Sequence, residues 1–450
     1  MKPNSTPVID RRHFLRGPGV SLALPVSPMT RITRFFLSSM VLCGLLLSGL
    51  LNGAEPTILP ENLRKAFATA KTERVAIVAL GDSNQQFGGH GWSYYMARAL
   101  GETFGCYGST LMFYHQDRGK DAPIPAEAPA ALATKAYDYW YVPAGQTGYV
   151  GWRNGTVIIP ADHPLNVRGS LRFHLTYGTF DDAGGSFQPV IRRDSPPWTV
   201  LKSMDSSVET QTGRPQLTDL VMDLPADSSR DYPLQFMPAA LNKPIQGAFL
   251  LSAAHCENLD KASGIAYHTL YAGGGQSVCD MVVSLREKRH EHLASFFSLA
   301  RTPLNGAKTC VVMINSGLND RNENELSVGP NHGLESSSPE GYVDNLEGVT
   351  QTLLEGWIKA GGNRDSIFFV YIPSHALGDP EDTKLVSYRA AAGQLAQKNN
   401  RAAMIDLSSL VPYRVMEQSK FYDQGTSSSP HLDRKGYQAI SEAVAEALAR

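Results

Sequence analysis

Three residues that lie far apart in this chain have the side chains that nucleophilic catalysis requires. Ser83 follows the apolar run 75–80, Asn319 follows a second apolar run at 310–315, and His431 lies near the C-terminus. A serine hydroxyl becomes a nucleophile when a histidine takes its proton, and an asparagine amide can donate to the oxyanion formed at an attacked carbonyl. Acyl transfer through an acyl-serine needs residues of these types.

Elements of alternating type must position these residues. The runs before Ser83 and Asn319 are apolar throughout, as is typical of strands buried in a parallel sheet. Further strands are predicted at 367–372 and 402–406, and helices at 92–100, 278–299, 342–360, 382–398 and 434–448. This alternation predicts an α/β fold in which helices cover both faces of a parallel sheet. Such folds place their sites at the carboxyl ends of the strands, where Ser83 and Asn319 are expected.

Four sequence blocks resemble those of the SGNH (GDSL-type) hydrolases, and they occur in the order found in that family. The blocks are Gly81-Asp82-Ser83, Gly273-Gly274-Gly275, Gly317-Leu318-Asn319-Asp320 and the segment around His431. The resemblance covers about residues 70–104 and 266–450 and implies a flavodoxin-like, three-layer hydrolase fold. It assigns the nucleophile to Ser83, the base to His431, and the oxyanion hole to Ser83, Gly275 and Asn319. It implies no metal and no organic cofactor.

The third catalytic residue departs from the family pattern. The family has its acid three residues before the histidine, and this position is Ser428 here. Asp423, eight residues before His431, can take the role if the serine-rich segment between them bulges out. Asp433 is closer in sequence but is expected to cap the helix that follows. A serine–histidine dyad without an acid is the third alternative, and we take Asp423 as the predicted acid.

Residues 1–54 are predicted to be an export signal region of a bacterial protein. A positive start at 29–34 precedes the apolar stretch 35–51, and the true start is predicted to be Met29. An uncleaved membrane anchor is the alternative. Arg11-Arg12 in the upstream extension resembles a twin-arginine signal. Both alternatives predict export to the periplasm or the medium, with a membrane as partner only if the signal is uncleaved.

The mature chain is predicted to form a hydrolase domain from segments 55–104 and 266–450, interrupted by an insertion at 105–265. Short runs that alternate in polarity between turn residues predict that the insertion is an antiparallel β-sandwich, jelly-roll-like and similar to carbohydrate-binding domains. Its aromatic residues can stack on sugars, although core positions are the more ordinary explanation; they are Trp140, Tyr141, Tyr149 and Trp152. Cys106 and Cys256, near the two ends of the insertion, are a candidate disulfide.

The formal net charge is −2, and no basic cluster follows the signal region, so nucleic acid is not an expected partner. We expect an exported serine esterase that hydrolyses O-acyl esters, mainly O-acetyl esters, on a carbohydrate. An O-acyltransferase with the same acyl-serine and a non-catalytic polysaccharide-binding protein are the two alternatives. The changed acid position motivates the second of them.

Overall fold

The computed structural model describes most of the chain between residue 59 and the C-terminus. The described residues are 59–86, 92–110, 112–113, 157–159, 161–180, 186–193, 199–203, 208–209, 217–240, 248–272, 277–283, 285, 306–322, 337–378, 381–423 and 430–450. The predicted export signal, Gly275 and the four aromatic residues named above lie outside these ranges.

Among the described residues, helices occur at all five predicted positions, although the helix predicted at 278–299 is described only over 278–283. Four further helices in the described ranges were not predicted. The described helices are α1 Glu61–Thr69, α2 Ser83–Gln86, α3 Trp92–Phe104, α4 Val278–Val283, α5 Pro339–Lys359, α6 Thr383–Gln397, α7 Leu407–Leu410, α8 Tyr413–Gln418 and α9 Arg434–Ala449. Side-chain oxygens of Ser338, Asp382, Asp406 and Asp433 cap α5, α6, α7 and α9. Each cap accepts a backbone N–H that the helix itself cannot bond, which sets where the helix begins.

The strands include every apolar run predicted from the sequence. They are β1 Arg74–Gly81, β2 Cys106–Thr110, β3 Met112–Phe113, β4 Val157–Ile159, β5 Leu171–Phe180, β6 Ser186–Arg193, β7 Val200–Ser203, β8 Val208–Glu209, β9 Leu217–Leu224, β10 Leu234–Ala240, β11 Ala248–Asn258, β12 Gly264–Ala272, β13 Thr309–Ser316, β14 Ile367–Pro373 and β15 Ala402–Met404.

Five parallel strands form the part of the sheet that carries the site. Their spatial order is β12-β1-β13-β14-β15, which is the flavodoxin-like order 2-1-3-4-5 when the five are numbered along the chain. Every residue of β14 is buried, and in β1 and β13 every residue except the first is buried. This burial is expected of strands in a parallel sheet with helices on both faces. The second strand of the five, β12, lies on one side of β1, and the third, β13, lies on the other side. The strand order therefore reverses between β1 and β13, and the carboxyl ends of these two strands flank the topological switch point.

The helices divide into two groups by their contacts with one another. The first group packs α1 and α3 against α9, and the second packs α4 and α6 against α5. Right-handed connections between parallel strands place successive helices on a face fixed by strand order, so the two groups cover opposite faces of the sheet. The predicted α/β three-layer fold is confirmed.

Antiparallel strands from the predicted insertion continue this sheet beyond β12. β2 pairs parallel with β12 and antiparallel with β11, and the order then runs β11-β5-β9. Strands β3, β4, β10, β6 and β7 form a second sheet, with β8 paired to β6. The predicted antiparallel strands are therefore present, and one of their two sheets is continuous with the parallel sheet. The β-sandwich and the domain boundary at residue 105 stay predictions.

The predicted disulfide is wrong in this structure, where Cys106 and Cys256 are both free and buried. Their strands, β2 and β11, are neighbours, but the register pairs Cys256 with Ser109. Cys106 pairs instead with Ile265 on the other side of β2. The two thiols therefore do not occupy facing positions, which a cross-strand disulfide would need. No helix in the described ranges is long and apolar enough to cross a membrane.

Candidate active site

The predicted nucleophile and the predicted base lie within hydrogen-bond distance. Ser83 Oγ is 2.9 Å from His431 Nε2, although 348 positions separate the two residues. Ser83 is 8 % exposed, and His431 is half-buried. When Nε2 is unprotonated it can accept the serine proton, which is the geometry that general-base activation of a nucleophile requires.

A tight turn places Ser83 at the end of β1. Gly81 ends the strand and Ser83 begins α2, with one residue between them. A Cβ at Gly81 would lie 2.7 Å from Cβ of Gln85, so only glycine allows the helix to start this close to the strand. The side-chain amide of Gln85 donates to Tyr267 Oη on β12 at 2.9 Å, which fixes α2 against the neighbouring strand.

The two residues that flank Ser83 form a buried polar pair. Asp82 Oδ1 accepts hydrogen bonds from the backbone N–H of Asn84 at 2.8 Å and from its side-chain amide at 3.1 Å. Asp82 Oδ2 is buried without a hydrogen-bond partner among the described residues. Burial raises the pKa of the Asp82 carboxyl to about 6, while the bonds from Asn84 act in the opposite direction.

Asn319 lies in a loop that Asp320 holds in place. The loop follows β13, and Gly317 adopts a φ of +104°, a conformation that favours glycine. Asp320 Oδ2 accepts from the N–H of Gly317 at 3.0 Å, and its Oδ1 accepts from the N–H of Val278 at 2.9 Å. Val278 begins α4, three residues after Gly275. One buried carboxylate therefore connects the Asn319 loop to the segment that follows the predicted oxyanion glycine.

Asn319 is 7 % exposed and emerges from the strand next to that of Ser83, since β1 and β13 pair in parallel with Leu80 opposite Ile314. The predicted oxyanion donor and the predicted nucleophile thus leave adjacent strand ends at the switch point. Gly275, the other predicted donor, lies outside the described residues, and its role stays a prediction.

A short antiparallel pairing brings Asp423 beside His431. Tyr422 pairs with Leu432, the N–H of Asp423 donates to the carbonyl of His431 at 2.9 Å, and the N–H of Asp433 donates to the carbonyl of Phe421 at 2.7 Å. The eight-residue separation in sequence therefore becomes a direct backbone contact. Asp423 itself is exposed. Its role as the acid stays a prediction that this pairing favours.

Asp433 caps α9, as the sequence predicts. Its Oδ1 accepts from the N–H of Gly436 at 2.7 Å. Burial, together with the charge of Asp423, raises the pKa of the Asp433 carboxyl. A carboxylate that already serves the helix N-terminus is a weaker candidate for the catalytic acid than Asp423.

His375, which follows the end of β14, is a buried residue near the same segment. It is 3 % exposed, and its ring centroid lies 6.1 Å from that of Tyr422. Burial lowers the pKa of His375 to about 3, and the charges of His431, Arg321 and Arg389 act in the same direction. This imidazole is therefore neutral at physiological pH, and it lies near Tyr422, which pairs with Leu432.

Three residues that organise the site had no role predicted from the sequence: Asn84, Asp320 and Tyr437. Each is a buried polar residue. Asn84 and Asp320 sit next to a predicted catalytic residue in sequence, which is the signal that could have revealed them. No group of histidine, cysteine and acidic side chains suited to a metal ion occurs among the residues that the structure describes.

No family model matches the chain, and no curated protein matches its sequence. Among solved structures, the chain is similar to a peptidoglycan O-acetylesterase, with 13 % identity, 87 % of this chain and 95 % of that chain covered, and a TM-score of 0.49. An acetylxylan esterase from Geobacillus stearothermophilus has 14 % identity, coverages of 41 % and 73 %, and a TM-score of 0.28.

A family two carbohydrate esterase from Clostridium thermocellum has 10 % identity, coverages of 66 % and 92 %, and a TM-score of 0.28. At these identities and TM-scores, the similarities carry no assignment of function. The resemblance to SGNH hydrolases is confirmed for the fold, by the strand order and by the position of the serine after β1.

Proposed function

We propose that this protein is an exported serine esterase that hydrolyses O-acyl esters, mainly O-acetyl esters, of a carbohydrate. Ser83 attacks the ester carbonyl while His431 takes its proton, and His431 then returns the proton to the leaving alcohol. Water, activated by the same histidine, resolves the acyl-serine to the free acid. The backbone N–H groups of Ser83 and Gly275 and the amide of Asn319 stabilise the oxyanion in both steps.

The observation that carries this proposal is the 2.9 Å contact between Ser83 Oγ and His431 Nε2 at the end of β1. A serine and a histidine that meet across most of the chain, at the carboxyl edge of a parallel sheet, form the core of a nucleophilic site. The backbone pairing of Asp423 with His431 favours Asp423 as the acid, because a carboxylate beside the imidazole would stabilise the imidazolium that forms when the serine is deprotonated.

The burial of the site favours a small acyl group. Ser83 and Asn319 are only 8 % and 7 % exposed, so protein covers most of the surface of both side chains. An acetyl group adds a single methyl beyond the carbonyl, whereas a long acyl chain needs an extended apolar channel. We therefore propose acetyl esters, rather than fatty-acyl esters, as the substrates.

The carbohydrate part of the proposal depends on the sequence. Residues 105–265 contain the aromatic residues proposed to stack on pyranose rings, and the export signal predicted over 1–54 would place the protein where polysaccharides occur.

The test is acetate release from acetylated xylose, acetylated xylan and O-acetylated peptidoglycan, with p-nitrophenyl acetate as the minimal ester. We expect release from at least one carbohydrate and none from the Ser83→Ala variant. Hydrolysis of p-nitrophenyl acetate alone would leave an esterase but overturn the carbohydrate substrate. Acetyl transfer to an added sugar in place of acetate release would identify the acyltransferase, and glycan binding without turnover would identify the binding protein.

A further inference from the structure

A hydrogen-bonded link joins the nucleophile turn to the helix that follows His431. Tyr437 Oη donates to Asn84 Oδ1 at 2.6 Å, across 353 positions of the chain. Tyr437 and Asn84 are 3 % and 2 % exposed, so water does not compete for this bond. The NH₂ group of the same Asn84 side chain donates to Asp82 Oδ1. The link therefore runs from Tyr437 through Asn84 to Asp82, on both sides of Ser83.

The tyrosine end of this link is rigidly connected to His431. Asp433 caps α9 through the N–H of Gly436, and the N–H of Tyr437 donates to the Asp433 carbonyl at 3.0 Å. Gly436 packs so closely on Phe421 that an added Cβ would lie 2.6 Å from the Phe421 carbonyl oxygen. The path from His431 to the Tyr437 ring thus contains a cap, a helical hydrogen bond and a close backbone contact, which leave it little freedom.

The asparagine end is equally fixed. Asn84 is the second residue of α2, and its backbone N–H and side-chain amide both bond the same carboxylate oxygen. Ser83 lies between Asp82 and Asn84 in this turn. A shift of the Tyr437 hydroxyl relative to Asn84 would therefore change the separation of Ser83 and His431.

We propose that Asn84 and Tyr437 are positioning residues that set the distance between Ser83 Oγ and His431 Nε2. This inference rests on the proposed function, in which that pair carries out the proton transfer. Proton transfer needs heavy atoms about 2.6–3.2 Å apart. A misplacement of about 1 Å can reduce a rate about 10²-fold. Neither residue needs to touch the substrate for this role.

Tyr437→Phe is the variant that tests the link, because it removes one hydroxyl and keeps the ring. Tyr371→Phe is the matched control: Tyr371 is 1 % exposed, and its hydroxyl bonds Thr350 Oγ1 at 3.1 Å, away from the Ser83–His431 pair. Two readouts are needed. The first is the second-order rate at which a fluorophosphonate labels Ser83, and the second is the ¹⁵N chemical shift of His431 Nε2 in histidine-labelled protein.

We expect Tyr437→Phe to label about tenfold more slowly than the wild type and to move the His431 Nε2 shift in the direction that Ser83→Ala moves it. Tyr371→Phe should change neither. If Tyr437→Phe does not fold, Asn84→Ala replaces it with the same expectations. A labelling rate within twofold of the wild type, or an unchanged Nε2 shift, would overturn the positioning role.

The two readouts separate this inference from the proposed function. A wild-type protein that is not labelled by the fluorophosphonate would contradict the serine esterase. In that case the Nε2 shift still decides whether Tyr437 controls the Ser83–His431 contact.

Discussion

Asp320→Asn tests how strongly one carboxylate organises the site. In the wild type, the two oxygens of Asp320 accept N–H groups from two segments, Val278 at the start of α4 and Gly317 after β13. Asparagine has the same shape, but one oxygen becomes an NH₂ group that faces one of these N–H donors. One charge-assisted hydrogen bond is then lost, and one buried N–H is left without an acceptor.

The expected cost follows from these two losses. Charge-assisted hydrogen bonds contribute about 1.5–3 kcal/mol, and a buried unsatisfied donor costs about 1–3 kcal/mol. Both figures describe the loss of the same hydrogen bond, so they do not add in full. We therefore expect the free energy of unfolding to fall by about 3 kcal/mol. Activity should fall further than stability alone explains, because both connected segments carry predicted oxyanion donors. Loss of one such donor lowers kcat by about 10²–10³.

The measurements are urea unfolding followed by circular dichroism and hydrolysis of p-nitrophenyl acetate under conditions where the variant is folded. Asp223→Asn is the control, since Asp223 forms an ion pair with Arg172 that is partly exposed. That control should lose less than about 1 kcal/mol and keep its activity. If Asp320→Asn matches the control in stability and stays within threefold of wild-type activity, the organising role of this carboxylate is refuted.

Three further predictions concern the acid and the pH dependence. Asp423→Asn should lower kcat by about 10²–10⁴ for p-nitrophenyl acetate, whereas Asp433→Asn, which keeps the cap, should stay within threefold of wild type; the reverse result would identify Asp433 as the acid. Burial lowers the pKa of His163 and His268 to about 4 and that of His375 to about 3, so their contribution to stability is present above pH 6.5 and is lost as the pH falls below it. The variant His375→Phe lacks one of these histidines. In an acid titration followed by circular dichroism, it should therefore unfold at a lower pH than the wild type. The raised pKa of Asp82 has the opposite effect on the pH dependence of stability. The free energy of unfolding falls as the pH rises from 3.8 to about 6, because the folded protein holds the Asp82 proton more tightly than the unfolded chain does. Relative to wild type, Asp82→Asn should gain up to about 3 kcal/mol in urea unfolding between pH 4 and pH 7, and an equal difference at both pH values would contradict the shift.

The central sheet could be predicted because its strands are buried on both faces. Runs such as 75–80 and 367–372 are apolar throughout, and no amphipathic helix has that pattern. The pairing in the 105–265 region could not be predicted, because the alternation of polarity shows that a residue is in a strand but not which strand lies next to it. The sheet therefore continues through β2 to β11, β5 and β9, and Cys256 meets Ser109 where a disulfide with Cys106 was expected.

In the site, the sequence blocks predicted Ser83 and His431 as nucleophile and base, and the contact between their side chains agrees with that prediction. The acid could not be fixed from sequence, since its position depends on the pairing of Tyr422 with Leu432. The bond between Asn84 and Tyr437 was equally inaccessible, because nothing local relates residues 353 positions apart.

The most direct test of the account is the mass of the intact protein after reaction with a fluorophosphonate, followed by peptide mapping of the adduct. We expect one adduct on Ser83, none in Ser83→Ala, and labelling at least 10²-fold slower in His431→Ala, because the serine then lacks its base. An adduct on another residue, or full esterase activity in Ser83→Ala, would contradict the assignment of Ser83 as the nucleophile.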